Sequence, residues 1–136
     1  MTEQLIEGNS NPGITVVSRV MPRPVKKVWA TMLTPGGQSA LLGEGAVLGN
    51  KGDNWRAATG AWGVVRSYHP LEEIRFSWHA DEYGPRTWVD VVFTPQGADT
   101  TKLEVRHDHK GVEIDTDRLA RHWTTALEHI ESDALS

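Results

Sequence analysis

Hydrophobic and polar residues follow each other along this chain in patterns that separate strands from helices. Residues 14–21 are rich in β-branched side chains and end just before a proline, which is typical of a short strand. Pro24 can open a helix, because the residues that follow place apolar side chains on one helical face: Val25, Val28, Trp29 and Met32. The Pro-Gly-Gly of residues 35–37 is predicted to stop this helix, and a second short helical turn is predicted over residues 38–42.

The middle of the chain, residues 46–109, reads as a series of strands. Turn-forming residues separate the runs at 50–54, 69–70, 83–85 and 95–99. The clearest alternation lies in residues 74–79 and 88–94, and apolar and charged side chains alternate strictly over residues 102–108. Because no helical pattern interrupts these runs, we expect an antiparallel meander with one covered and one solvated face.

The chain closes with a long amphipathic helix. Asp115 or Thr116 can cap it, and its apolar stripe consists of Leu119, Trp123, Ala126, Leu127, Ile130 and Ala134. At about 1.5 Å per residue, roughly twenty residues give a rod of about 30 Å, long enough to cross six or seven strands. The order of elements therefore predicts an α+β fold: a curved antiparallel sheet of six or seven strands around this helix, with one or two short helices after the first strand.

Length and charge restrict the organisation and the partners of the protein. The 136 residues suit one domain, which we place at residues 14–136 after a flexible tail of residues 1–13. With 14 Lys and Arg against 18 Asp and Glu, and no long basic run, nucleic acid is not expected as a partner. Cysteine is absent, and the polar, acidic N-terminus contains neither a secretory signal nor a membrane span. We expect a cytoplasmic protein.

Several segments carry a resemblance to a known family. They are Pro22 to Trp29, Gly63-Val64-Val65 with Pro70, Ile74 to Trp78, Thr101 to His107 and His122-Trp123. Together they resemble the START-like superfamily (SRPBCC, helix-grip fold), and most of all its heat-shock ATPase activator homologue domains. The resemblance implies an apolar cavity between sheet and C-terminal helix, which in some members binds lipids, hormones or polyketides and in others serves cyclases or hydrolases. His122 departs from the family pattern, in which glycine commonly precedes the helix tryptophan.

Six tryptophans make aromatic side chains the main candidates for packing and for ligand contact. The predicted cavity lies between the inner sheet face and the last helix, and its expected ligand-binding residues are Trp78, Phe93, Val105, His107, Trp123 and Leu127. Trp88 alternates with the inner residues of its strand, which places it on the outer sheet surface. It is therefore a candidate contact for a second subunit in a homodimer.

The histidines are the strongest candidates for metal-binding or ligand-contacting polar residues. His107 and His109 share a strand face, and His122 projects from the helix near the apolar stripe, so the three imidazoles could in principle meet at a metal. No carboxylate or thiol at ligand spacing completes such a set, and we therefore predict no metal and no cofactor. His107 is instead a candidate polar anchor within an apolar pocket.

Three functional hypotheses follow. The leading one is binding of a small apolar or amphipathic molecule in the predicted cavity. The second is a cyclase or hydratase in which His107, Tyr68 or Glu44 acts as acid or base, although no nucleophile motif is present and no catalytic residue is assigned. The third is a partner-binding or co-chaperone-like role, motivated by Trp88 and by the family resemblance.

Overall fold

The computed structural model describes residues 9–11 and 13–136, and ten regular elements lie within them. In chain order they are β1 (Asn9–Asn11), β2 (Ile14–Met21), α1 (Val25–Met32), α2 (Pro35–Leu42), β3 (Asn54–Arg56), β4 (Trp62–His69), β5 (Glu73–Trp78), β6 (Thr87–Pro95), β7 (Thr101–Asp108) and α3 (Thr116–Leu135). The predicted α+β helix-grip fold is confirmed: one sheet holds all these strands, and a long C-terminal helix packs on it.

The sheet is antiparallel throughout the described residues and runs in the order β1-β2-β7-β6-β5-β4-β3. The strands from β4 to β7 form the predicted meander, because short turns join neighbours in sequence. The register aligns apolar side chains across the covered face: Val105 of β7 pairs with Val17 of β2 on one side and with Val91 of β6 on the other. All three are buried, so this face forms the floor of the core.

Helix α3 covers that floor. Asp115 caps it as predicted, since its carboxylate accepts a hydrogen bond from the backbone N–H of Arg118 at 3.1 Å. Five residues of the predicted stripe are buried against the sheet and Leu119 is half-buried; the five are Trp123, Ala126, Leu127, Ile130 and Ala134. The apolar stripe that the sequence predicted is thus the face of α3 that packs on the sheet.

The start of α2 differs from the prediction. The Pro-Gly-Gly of residues 35–37 does not end the helical region but forms the first turn of α2. Proline is tolerated there because the first backbone N–H groups of a helix have no intrahelical partner. Thr34 supplies the cap that the prediction overlooked, since its hydroxyl accepts a hydrogen bond from the N–H of Gly37 at 3.0 Å.

Part of the predicted N-terminal tail is ordered as a strand. Residues 9–11 form β1, which pairs antiparallel with β2 so that Asn9 lies opposite Val16. Gly13 forms a turn before β2, and residues 1–8 and 12 of that tail lie outside the described residues. Within the described part of the chain, no helix is both long and apolar enough to cross a bilayer.

Candidate functional site

A cavity of about 500 Å³ opens at one end of the interface between the sheet and α3. The end of β5, the start of β6, the loop of residues 109–115 and the first half of α3 surround it. Its wall is largely apolar and includes Trp78, Ala80, Pro85, Val112, Ile114 and Leu119. The loop of residues 109–115 and the first half of α3 together form the side of the cavity that faces the sheet.

Trp78 forms one side of this cavity. It is the last residue of β5, and the alternation of that strand turns its side chain towards α3. The ring packs between Trp55 and Trp123, with centroids 5.1 Å and 5.4 Å away. Such contacts fix the orientation of a large aromatic side chain, so Trp78 presents a rigid surface to the cavity.

His107 lies at the bottom of the cavity, and both of its ring nitrogens are engaged. The indole Nε1–H of Trp123 donates to His107 Nδ1 at 3.2 Å. Because an indole only donates, Nδ1 must carry the lone pair and the proton must reside on Nε2. Nε2 lies 2.7 Å from the hydroxyl of Thr87, which donates in turn to the backbone carbonyl of Trp78 at 2.9 Å. The hydrogen bonds therefore fix one tautomer of His107.

The surroundings of His107 also keep it uncharged. Its side chain is fully buried. Burial, together with smaller contributions from His109 and His122, lowers the pKa of His107 to about 3 against an opposing effect of Asp108. A proton on Nδ1 would additionally break the hydrogen bond from Trp123. His107 is therefore neutral near pH 7.

Removing the hydroxyl of Thr87 tests this network. Thr87→Val keeps the shape of the side chain but leaves the buried Nε2–H of His107 without an acceptor, and we expect a loss of about 1–3 kcal/mol in the free energy of unfolding. Urea denaturation measures it. Thr94→Val on the same strand is the matched control, because Thr94 is exposed and should change stability by less than about 0.5 kcal/mol. Equal effects of the two substitutions would contradict the network.

His122 is the polar side chain of the cavity with an unused ring nitrogen. It is half-buried, and its ring lies edge-on to Trp78 with centroids 5.6 Å apart. Nε2 lies 3.4 Å from the carbonyl oxygen of Leu41 and donates to it, whereas Nδ1 has no hydrogen-bond partner among residues 13–136. Burial lowers the pKa of His122, against a smaller opposing effect of the Leu41 carbonyl. Nδ1 is thus a hydrogen-bond acceptor on a side chain that lines both this cavity and a neighbouring one of about 470 Å³ beside Ala40 and Thr125.

The predicted site residues divide into two groups. Trp78 and His107 line the cavity. The other four do not line it but lie buried in the core: Phe93, Val105, Trp123 and Leu127. Around these four residues the side chains of α1 and α3 pack directly on the sheet; the ring centroids of Phe93 and Trp29, for example, are 5.0 Å apart.

Several residues that line the cavity were not among the predicted ligand-binding residues: Thr87, Val112, Ile114, Leu119 and His122. Thr87 could have been found, because it shares the period-two row of Val89, Val91 and Phe93. His122 carried a signal as well, since it replaces the usual glycine of the resembling family. No sequence pattern marked Val112 and Ile114 as cavity residues, because they lie in the loop of residues 109–115.

The three histidines considered as metal ligands do not converge. His109 is buried and shares a hydrogen bond of 2.9 Å with the hydroxyl of Thr15, and both nitrogens of His107 are occupied. Within residues 13–136, no group of three histidine or carboxylate side chains is placed to hold a metal ion. These imidazoles therefore serve the core and the cavity wall.

Charged groups lie where the cavity meets solvent. Glu113, Asp115 and Arg118 form this rim, and all three are exposed. Asp115 is engaged in capping α3, which leaves Glu113 and Arg118 for a bound molecule. The cavity thus offers an apolar interior, one neutral acceptor and a charged rim, which suits a molecule with an apolar body and one polar end.

A curved antiparallel sheet packed around a C-terminal helix, with a cavity at one end of their interface, is the structure of a START-like protein. More closely, the chain belongs to the family described as activator of Hsp90 ATPase homolog 1-like proteins, whose model matches residues 22–133. The predicted family is thereby confirmed. None of the curated protein sequences matches the chain.

Solved structures of similar fold agree with this assignment. CalU16 from Micromonospora echinospora shares 22% identity at a TM-score of 0.75, over 89% of this chain and 75% of CalU16. DynU16, from the dynemicin biosynthetic locus, shares 21% identity at a TM-score of 0.76, over 90% of this chain but 47% of DynU16. MLL2253 from Mesorhizobium loti shares 21% identity at a TM-score of 0.69, over 88% and 95% of the two chains. The chain thus spans about half of DynU16, and at these identities the likeness establishes the fold alone.

Proposed function

We propose that the protein binds a small apolar or amphipathic molecule in the cavity between the end of the sheet and the first half of α3. The observation that carries this proposal is the cavity itself: about 500 Å³ with a mainly apolar wall. Ligand pockets of proteins typically measure about 300–1,000 Å³ and combine apolar walls with a few polar groups that orient the ligand. The cavity has both properties.

The polar groups restrict the ligand further. Nδ1 of neutral His122 accepts a hydrogen bond, so a suitable ligand carries a hydroxyl or N–H group on its apolar body. The hydroxyl of Thr87 already takes part in two hydrogen bonds and can accept one more. Arg118 and Glu113 at the rim accommodate a polar end that stays in water.

Binding is favoured over the cyclase or hydratase alternative by the positions of the proposed acids and bases. His107 is neutral and has no free nitrogen. Tyr68 packs against Trp29 at a centroid distance of 5.6 Å, and Glu44 is exposed beyond α2; neither residue lines the cavity. The acid–base pair that such chemistry needs is therefore not assembled from these three residues.

A neutral fluorescent probe tests the proposal. N-phenyl-1-naphthylamine should bind the protein with increased fluorescence, and Val112→Trp should weaken its affinity by at least about tenfold, because the larger side chain occupies part of the cavity. Val47→Trp is the matched control, since Val47 is 68% exposed and lies on another loop. Thermal unfolding verifies that both variants are folded.

The comparison between the two tryptophan variants decides the outcome. Loss of affinity in Val112→Trp alone supports the cavity. Equal affinity in Val112→Trp and the wild type, or an equal loss in both variants, would show that the probe binds elsewhere and would contradict the proposal.

A further inference from the structure

Another cavity lies on the opposite face of the sheet, away from α3. It also measures about 500 Å³ and is formed by the outward-facing side chains of β4 and β5 and the start of β6. Two tryptophans, a histidine and two arginines dominate its wall: Trp62, Trp88, His79, Arg66 and Arg86. We refer to it as the outer cavity. Nothing in the proposed ligand binding on the other face uses it.

The charge of the outer cavity is opposite to that of the protein. The whole chain has a net charge of -4, yet the charged side chains that line this cavity are both arginines. No carboxylate belongs to its described wall. A concave surface with one sign of charge attracts small ions of the other sign, so the outer cavity favours an anion.

The arginines gather around one indole ring. The guanidinium carbons of Arg66, Arg75 and Arg86 lie 5.7, 5.2 and 5.2 Å from the ring centre of Trp88. Arg75 is neutralised by a salt bridge of 3.1 Å to Asp90. Among the described residues, Arg66 and Arg86 form no salt bridge with a carboxylate. Two like charges are thus held near the same ring, where an anion would reduce their repulsion.

The other side of the outer cavity is flat and well fixed. The rings of Trp62 and His79 stack with their centroids 3.9 Å apart and their planes 2° from parallel. The indole N–H of Trp62 donates to the carbonyl of Asp81 at 3.2 Å, and Nδ1–H of His79 donates to the carbonyl of Gly84 at 2.9 Å. Both rings are thereby tied to the loop between β5 and β6. A fixed aromatic surface suits a planar ligand.

We propose that the outer cavity binds a small planar organic anion, such as an aromatic carboxylate, sulfonate or phosphate ester. Arg66 and Arg86 bind the anionic group, because guanidinium N–H groups match the oxygens of such groups in geometry and charge. The planar body of the ligand contacts the indoles of Trp62 and Trp88. The concave shape and limited volume favour a small molecule over a macromolecular surface.

This proposal gives Trp88 a role other than the predicted subunit contact. The indole is half-buried under guanidinium groups, so it does not present the bare apolar surface on which that prediction rested. A homodimer contact at Trp88 stays a prediction from the sequence. The experiment below includes it as an outcome.

The test uses 8-anilinonaphthalene-1-sulfonate, an anion that carries a planar naphthalene ring and whose fluorescence rises on binding. Its affinity should fall by at least about tenfold in the double variant Arg66→Gln/Arg86→Gln, which loses both charge-assisted contacts. The matched control is Arg56→Gln/Arg106→Gln, which removes the same charge from two exposed arginines outside the cavity and should change the affinity by less than about twofold.

Two further measurements separate this site from the cavity beneath α3. Neutral N-phenyl-1-naphthylamine should bind the Arg66/Arg86 variant and the wild type equally, and the anionic probe should still bind Val112→Trp, in which the cavity beneath α3 is partly filled. Equal losses in both double variants, no loss in either, or complete loss of anionic-probe binding in Val112→Trp would overturn the proposal. So would a wild-type dimer in sedimentation that Arg66→Gln/Arg86→Gln converts to a monomer, because the face would then belong to a second copy.

Discussion

Trp123→Ala is expected to lower the free energy of unfolding by about 3–5 kcal/mol, the largest effect of any single substitution proposed for this protein. Trp123 is fully buried where α3 lies on the sheet. Truncation leaves a cavity in a region that cannot close easily, since the neighbouring Trp78 is held by its own contacts. It also removes the hydrogen bond to His107 Nδ1, which leaves a buried acceptor without a partner.

Urea denaturation of two further variants separates these contributions. Trp123→Phe retains an aromatic ring but loses the N–H donor, so it should cost less than Trp123→Ala while still exceeding the roughly 1 kcal/mol of an average substitution. Trp62→Ala is the control, because Trp62 is a half-buried residue of the outer sheet face. A loss for Trp123→Ala no larger than that for Trp62→Ala would contradict the role of Trp123 as the link between helix and sheet.

Acidification is expected to destabilise the fold through His107. Its pKa is about 3 in the folded protein, against 6.5 for an ordinary histidine. Between these two values the unfolded chain binds a proton that the folded protein does not, so the free energy of unfolding falls by about 1.4 kcal/mol for each pH unit below 6.5. Above pH 6.5 both states are neutral at this residue, and its contribution is constant. His122 acts in the same direction, because burial lowers its pKa as well.

The contribution of His107 can be isolated by comparing pH profiles. His107→Gln removes the titrating group, so its stability should fall less steeply than that of the wild type between pH 6.5 and 4, although the variant is less stable at pH 7. Because Asp and Glu residues also titrate as the pH falls, only the difference between the two slopes is attributed to His107. His69→Gln is the control for the replacement of a histidine by glutamine, since His69 is exposed. Parallel profiles for His107→Gln and the wild type would show that His107 is not held neutral.

The hydrogen bonds of His107 explain why the sequence made it a candidate ligand anchor although neither of its ring nitrogens is free to contact a ligand. The alternation of β7 correctly placed it on the covered face. The alternation could not show that Trp123 and Thr87 would occupy its two nitrogens, because those partners are 16 and 20 residues away in the sequence. Hydrogen-bond partners at such separations depend on the register of the fold, which a local pattern does not contain.

The fold itself was largely predictable, because it follows from local periodicities. Apolar side chains at period two specified the strands, and the stripe along α3 specified the face that the sheet covers. The exceptions involve local chemistry that the periodicity does not contain. The Thr34 cap allowed a helix to begin in the Pro-Gly-Gly of residues 35–37, and β1 pairs in a segment with little apolar character.

The position of the cavity was less predictable than the fold. All six selected residues face the core, but only Trp78 and His107 reach the open end of the interface. Where a cavity remains depends on how completely side chains from α1, α3 and the sheet fill the shared space, and alternation does not report that volume. The loop of residues 109–115, which forms much of the wall, carries no periodic signal at all.

The two cavities differ in the chemistry that they offer. The one beneath α3 has an apolar wall, neutral histidines and a rim of mixed charge. The outer cavity combines aromatic rings with arginines that have no carboxylate partner in the described wall. A neutral probe should therefore bind beneath α3, whereas the outer cavity should add a site for an anionic probe of similar size.

The most direct test of the proposed ligand site is an NMR titration that follows the tryptophan indole N–H signals, assigned from Trp→Phe variants, as N-phenyl-1-naphthylamine is added. Ring currents of the probe should shift the signal of Trp78, which lines the cavity beneath α3, and leave those of Trp62 and Trp88 on the outer face in place. An unmoved Trp78 signal at saturating probe, or shifts confined to Trp62 and Trp88, would contradict the account.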